Sequence, residues 1–385
     1  MGGALIAAMG DPTSVHLNPA ALGFLRGTHF SFGSTVIVPE QRFNGVLPGN
    51  AETKMQAQVL FPPNLYLTHT FGRSWGLGIA FHIPYEARTE WSPDWVGKRI
   101  VTKSDLRVAM VSPCVGVRVS DELSLGLGVD LTIPKILLEQ RIPVSVPSDP
   151  TVYPDGYSTH EATGSMSAGF LLGALYRPSE AWSFGASYRT RIAAELDDGR
   201  VSFRDIPAQI APQYLDGKFN SELTVPSQFH AGAGWQPVHW FYGSADMEYT
   251  LWSEFRSIEI TYSAPSRLHR TIDEHWNNTF NLRFGVEFSF ASVSLRGGYR
   301  IERGPIPDRA LTPGLPDADA TALSIGLGYR VGERLLLDFA FVSMRFDDRL
   351  VAASEVAYDG SGGLFNGLYT SRSNSIAINV LYSWE

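Results

Sequence analysis

The chain of 385 residues carries a net charge of -8, with 12% aromatic and only 18% charged residues, 37 glycines and a single cysteine, Cys114. That balance argues against a nucleic-acid footprint, which needs clustered Lys and Arg, and the lone thiol excludes an intrachain disulfide or a multi-cysteine metal cluster. A mean hydropathy of -0.05 suits a wall that is apolar on one face and polar on the other.

Residues 1 to 27 form a small Gly- and Ala-rich opening segment, too short to be an independent domain. Its apolar run from Ala4 to Met9 is far below the ~18 residues of a spanning helix, so any membrane crossing has to be made by a closed sheet. No basic region, apolar core and cleavage site precede Gly10. Export requires such a signal, and the sequence is therefore expected to begin inside the mature protein.

From residue 28 onward the apolar pattern has period two. Strands are expected at 28 to 39, 64 to 71, 75 to 91, 104 to 119, 122 to 139, 159 to 178, 180 to 196, 219 to 237, 239 to 263, 276 to 290, 291 to 301, 319 to 332, 334 to 348 and 371 to 384. About fourteen strands is an even number, as bacterial barrels require. The expected fold is all-β: an antiparallel transmembrane β-barrel at 28 to 385, with residues 1 to 27 as a hatch inside the lumen.

In the last strand Ile376, Ile378, Val380, Tyr382 and Trp384 share one face, while Ser375, Ala377, Asn379 and Ser383 share the other. A Lys or Arg near the lipid midplane costs roughly 2 to 4 kcal/mol. The faces carrying Asp130, Arg189, Asp246, Arg283, Arg296 and Arg300 should therefore point into the lumen, where Asp246, Glu248 and Glu287 are candidate partners for the arginines. Tight turns near Gly72, Ser120, Ser179, Val238 and Gly332 alternate with long connections around Pro48, Trp95, Ser148, Pro212, Pro265, Pro307 and Gly362. Short turns should face the periplasm and long loops the outside.

Little in this pattern suggests chemistry. The pairs Gly76/Gly78, Gly126/Gly128 and Gly326/Gly328 do not open a helix after a strand, so they are not dinucleotide loops; they suit close approach of the wall to an inserted plug. His29 and Ser31 share a strand face but lack a recognisable third group and oxyanion donors. The nine histidines show no metal-binding spacing, and no catalytic residue, metal or other cofactor is expected. Asp317 and Asp319, like Asp347 and Asp348, read as solvated loop carboxylates. Pro84 follows a well-formed strand and has no N–H for the ladder. It marks either the start of an ordinary loop or a kink that opens the wall.

Several stretches carry a resemblance. Gly10-Asp11-Pro12 through Asn18-Pro19-Ala20-Ala21-Leu22, the kink Ile83-Pro84-Tyr85-Glu86, and Pro313-Gly314-Leu315-Pro316-Asp317-Ala318-Asp319 resemble, nearly end to end and in order, the outer-membrane transporters of long-chain fatty acids and aromatic hydrocarbons. Val225-Pro226-Ser227, Trp252-Ser253-Glu254-Phe255 and Trp276-Asn277-Asn278-Thr279-Phe280 extend the match. This resemblance implies a bacterial outer-membrane channel, not an enzyme, for passive uptake of hydrophobic small molecules.

In that reading Asn18, Pro19 and Ala20 belong to the hatch, with Asn18 bonding the plug to the wall and Pro19 ending its local structure. Pro84, Tyr85 and Glu86 form a lateral opening, Arg189, Arg283, Arg296 and Arg300 are candidate lumen ligand-binding residues, and Pro316, Asp317 and Asp319 form a loop motif. The implied partners are the hydrophobic ligand, outer-membrane lipids with lipopolysaccharide, and the outer-membrane assembly machinery, with the chain acting as a monomer. Glu86 departs from the family, which usually has glycine there, and Glu385 follows the aromatic residue on which relatives usually end. The rival readings are a barrel that shuttles secreted protein or serves as a structural protein, and an open polar porin.

Overall fold

The computed structural model describes residues 1–45, 52–144, 155–263, 270–357 and 364–384. The connections expected around Pro48, Ser148, Pro265 and Gly362 centre outside the described residues. Fourteen wall strands follow one another: β1 (Thr28–Gly45), β2 (Pro63–Phe71), β3 (Trp75–Glu90), β4 (Lys103–Arg118), β5 (Leu123–Ile142), β6 (Gly156–Thr163 and Ser167–Tyr176) and β7 (Trp182–Arg189 and Ile192–Arg204). The second half comprises β8 (Gly217–Val225 and Gln228–Val238), β9 (Phe241–Thr250), β10 (Thr279–Phe290), β11 (Val293–Glu302), β12 (Ala320–Val331), β13 (Leu335–Phe346) and β14 (Gly367–Trp384). Neighbours pair antiparallel, and β1 meets β14 from Thr28↔Trp384 to Gly45↔Gly367. Closure gives every wall strand a neighbour on both sides, which is what lets a sheet stand in hydrocarbon.

Burial is inverted relative to a soluble protein. Leu323 and Ile325 are each 66% exposed, whereas Asp130, Ser31, Ser124 and Thr132 are fully buried. Alternation along each strand sends the apolar set to lipid and the polar set to the lumen. At the end carrying the tight turns, aromatic rings such as Phe71 and Trp75, stacked at 4.2 Å, form part of an interfacial girdle. Towards the other end the outward face becomes charged and its residues pair across strands: Glu40 with Arg372 at 2.5 Å, Arg88 with Asp105 at 2.6 Å and Lys103 with Glu90 at 3.0 Å.

Several boundaries differ from the periodicity. β1 runs on to Gly45, because pairing with β14 continues past the apolar band. The strand expected at 239 to 263 leaves the wall after Thr250, where Trp252–Glu254 forms a 3-10 turn, and Ser257–Tyr262 pairs mainly with Arg270–Asp273 in a hairpin of its own. β6 breaks at residues 164 to 166, yet Gly164 N–H bonds Pro134 O at 2.8 Å and Ser165 N–H bonds Glu195 O at 3.1 Å, so these two donors stay satisfied.

Candidate functional site

The N-terminal segment lies against the inner face of the wall. Two short turns organise it, Pro12–His16 and Pro19–Gly23, each opened by a side-chain cap: Asp11 accepts from Thr13 N at 2.8 Å and Asn18 from Ala20 N at 3.1 Å. Pro19 therefore begins a turn instead of ending one, since a proline at the first helical position forfeits only an N–H that had no partner. The Asn18 amide donates to Ile6 O and to Ala174 O of β6, both at 3.0 Å. Ala20 is fully buried.

Wall glycines make room for this contact. A Cβ at Gly126 would lie 2.3 Å from Ala20 N, one at Gly173 2.2 Å from Asn18 Oδ1, and one at Gly185 2.1 Å from Ile6 O. Gly76 and Gly78 face Leu22, whereas Gly326 and Gly328 face Arg296, so only part of the expected Gly-pair set faces the N-terminal segment. The guanidinium of Arg296 occupies that space instead. Cys114 faces the segment too, buried with Val15, Leu22, Leu25, Tyr66 and Ala80.

All four candidate arginines bond carboxylates of the barrel. Arg189 donates to Asp130 Oδ2 at 2.6 Å, to Gln228 Oε1 at 3.3 Å and to His16 O at 2.7 Å, which ties the wall to the segment. Asp130 also accepts from Ser112. Arg283 meets Glu248 at 2.6 Å, Arg296 meets Glu287 at 2.5 Å and also Asp338, and Arg300 meets Glu302 at 3.1 Å. Asp246 forms no ion pair among the described residues: its Oδ2 accepts from Ile6 N at 2.9 Å. His29 bonds Ser383 at 2.8 Å and Ser31 bonds Asn379 at 3.0 Å, so His29 and Ser31 do not pair with each other. Among the described residues no cluster of three or more His, Cys, Asp or Glu is suited to a metal.

Among the described residues the wall ladder breaks off along the seam of β2 and β3. Between β2 and β3 it runs from Phe71↔Trp75 to Leu65↔Phe81 and stops. It resumes as a single bond, Gln56 N–H to Glu90 O at 2.7 Å. About eight residues of β3, 82 to 89, thus lack ladder partners on that side, roughly 26 Å of strand. On its other side β3 stays paired with β4 through a register shift between His82 and Tyr85, and Leu60 stays bonded to Ile37 of β1. Pro62 and Pro63 border the break opposite Pro84, and none of the three has an N–H to offer. The Pro62-Pro63 pair was a legible signal that sequence reasoning passed over.

Side chains at the break differ by face. His82 turns inward, its ring 5.0 Å from that of His16. Tyr85 packs against a buried cluster of Val108, Met110, Ile192 and Val225 and meets Trp252 edge-on at 6.0 Å. Glu86 lies on the opposite face, its Oε1 accepting from Arg107 Nε at 2.9 Å and Nη2 at 2.6 Å.

At the end opposite the tight turns the long connections gather into an aromatic cluster that includes Phe43, Trp91, Trp95, Phe255, Trp276 and Phe365. Trp91 stacks on Trp95 at 4.4 Å and donates its indole N–H to Pro313 O at 3.0 Å, while Thr89 Oγ1 donates to Gly314 O. The loop motif is thereby docked on the end of β3, with Pro316 half-buried. Asp317 and Asp319 are not the freely solvated pair expected from sequence. Asp317 accepts from Ile306 N at 3.3 Å, and Asp319 accepts from Gly304 N at 3.0 Å and pairs with Arg303; these bonds tie the two halves of the loop together.

Burial pushes the Asp317 carboxyl up from 3.8 to about 6, against the opposing pull of the Ile306 N–H and Arg349. A carboxyl whose folded pKa is raised binds more protons folded than unfolded between those values, so its contribution to stability falls as pH rises from about 4 to 6. The docking of this loop is expected to loosen across that window, read as a change in tryptophan fluorescence, and Asp317→Asn should flatten the slope. An unchanged slope in the variant would assign the pH dependence elsewhere.

Comparison with known proteins agrees with this architecture. Residues 1–384 match the family model described as outer membrane protein transport protein (OMPP1/FadL/TodX). Outer membrane protein P1 of Haemophilus influenzae is 21% identical over 385 residues, covering 88% of this chain and 82% of that one. The crystal structure of a Pseudomonas aeruginosa FadL homologue superposes with a TM-score of 0.87 at 18% identity, covering 100% of this chain and 96% of that one. The Ralstonia pickettii toluene transporter TbuX gives 0.75 at 18% identity, covering 100% and 97%. With the closed fourteen-stranded wall, a match over essentially the whole length places this chain in the OMPP1/FadL/TodX family of bacterial outer-membrane transport proteins.

Proposed function

We propose that the chain is a passive channel for hydrophobic small molecules in which residues 1 to 27 are the hatch, residues 28 to 385 the barrel, and the break between β2 and β3 the lateral exit. The observation that carries this reading is the break itself. Three prolines and a bulge leave one side of β3 without ladder partners while its other side stays bonded. Unpaired backbone facing hydrocarbon costs several kcal/mol per group, so irregular backbone persists at membrane depth where it is buried in protein or lines a passage.

The aromatic cluster would seal the outside and the hatch the lumen, which speaks against an open porin. Each buried methylene of a cargo contributes about 0.8 kcal/mol, so release requires a pocket that deforms, and a segment built from two short capped turns suits that role. The arginines already hold wall carboxylates, which supports structural ion pairing over head-group capture and favours a neutral cargo. Relatives described as a fatty-acid-transporter homologue and a toluene transporter support an apolar cargo class. A single copy, assembled by the outer-membrane machinery into lipid and lipopolysaccharide, suffices for this function.

The route is tested by Pro84→Val, which restores a ladder donor, and Ala87→Trp, which fills the space beside the kink. Cellular uptake of a hydrophobic substrate is expected to fall about tenfold in each, equal to about 1.4 kcal/mol of barrier. Normal uptake in both, with the barrel folded, would remove the lateral route.

A further inference from the structure

We infer that the break in the wall selects cargo bearing a neutral hydrogen-bonding group, a phenol or alcohol on an apolar body, with His82 serving its lumen side and Glu86 its outer side. The inference rests on the lateral route proposed above. Among the described residues, two buried polar atoms at the break have no hydrogen-bond partner, His82 Nδ1 and Glu86 Oε2, and Thr68 Oγ1 has none in the paired part of β2. Buried polar groups are nearly always bonded, so an orphan of this kind marks the place of a missing partner.

Glu86 is the sharpest case. Its side chain is only 4% exposed and carries a charge; Arg107 takes one oxygen, and the other has neither partner nor solvent. Residues 83 and 84 form the bulge between His82 and Tyr85, so His82 and Glu86 flank the point where the backbone departs from the ladder. A hydrocarbon passing there would leave both groups unpaired. A hydroxyl would donate to Glu86 Oε2, or exchange a hydrogen bond with His82 Nδ1 in whichever tautomer the ring adopts. A carboxylate would meet the Glu86 charge, with Arg107 already engaged. Sites built to bond a hydroxyl discriminate strongly against the analogue that lacks it.

The experiment measures uptake of 4-hexylphenol, hexylbenzene and 4-hexylbenzoate by porin-deficient cells carrying the full chain, with folding checked by heat-modifiable gel mobility. The native protein is expected to favour the phenol over the hydrocarbon roughly tenfold, the effect of leaving about one buried polar group unpaired. Glu86→Leu/Arg107→Leu removes the acceptor together with its ion-pair partner and leaves no group to bond the hydroxyl or repel a carboxylate, so the phenol preference should largely vanish and benzoate uptake rise. His82→Phe should lower phenol uptake without raising that of benzoate. Equal phenol-to-hydrocarbon ratios in the native protein and Glu86→Leu/Arg107→Leu overturn the inference, including the case in which a water alone fills the site. Ala87→Trp separates the two proposals. If it blocks all three compounds while the ratios ignore residue 86, the route stands and the selection falls; if it blocks none, the route fails and the selection with it.

Discussion

Gly126→Val is expected to push the second turn of the N-terminal segment off the wall and expose Cys114 to aqueous thiol reagents while the barrel stays closed. A Cβ at this position would lie 2.3 Å from Ala20 N and 2.4 Å from Pro19 C, both backbone atoms with no rotamer to yield. β5 is held by ladders on both sides, from β4 and from β6, so the segment is what must move. Overpacking of this kind costs typically 1 to 3 kcal/mol, enough to raise the population of the displaced segment by a factor of about 5 to about 160. Cys114 is the single cysteine and is packed against Leu22 of that turn, which makes it a built-in reporter. The rate of maleimide labelling should rise accordingly. Gly243→Ala is the control, because its Cβ meets only Phe241 ring carbons at 3.6 and 3.7 Å. Labelling as slow in Gly126→Val as in the control would mean that close glycine packing does not hold the segment in place.

Arg189→Leu should be the most destabilising single change in the lumen. It strips a fully buried Asp130 of its counter-charge and releases His16 O at the same time. Removing one partner of a buried pair costs roughly 3 to 5 kcal/mol, because the remaining charge is left uncompensated, whereas replacing both partners by apolar groups is far milder. The double variant Arg189→Leu/Asp130→Leu is therefore expected to recover much of the loss in denaturant unfolding. Equal destabilisation in the double and single variants would show that the pair does not act as a unit. Because His16 O is freed in both, Cys114 labelling should stay raised even where stability recovers.

Period-two alternation made the wall legible, since a residue's face follows from its parity within one strand and needs no knowledge of the neighbours. Strand number, lumen-facing charges and the proline at residue 84 could all be reached that way. Local chemistry also reached Asn18, although the role of Pro19 was misassigned, because a proline stops one turn and starts the next with equal ease. What parity cannot give is which faces meet. Arg189 finds Asp130 at a separation of 59 residues only because β5, β6 and β7 lie side by side, and Gly126 matters only because Ala20 is delivered to it. The gap in the wall needed Pro62 and Pro63 set opposite Pro84, a meeting decided by the register that the Phe71↔Trp75 turn imposes on β2 and β3. Sequence by itself therefore determined the barrel, its two faces and one edge of the break; the tertiary structure decided the lumen pairings, the seat of the N-terminal segment and the other edge, because closing a sheet fixes contacts that no single strand encodes.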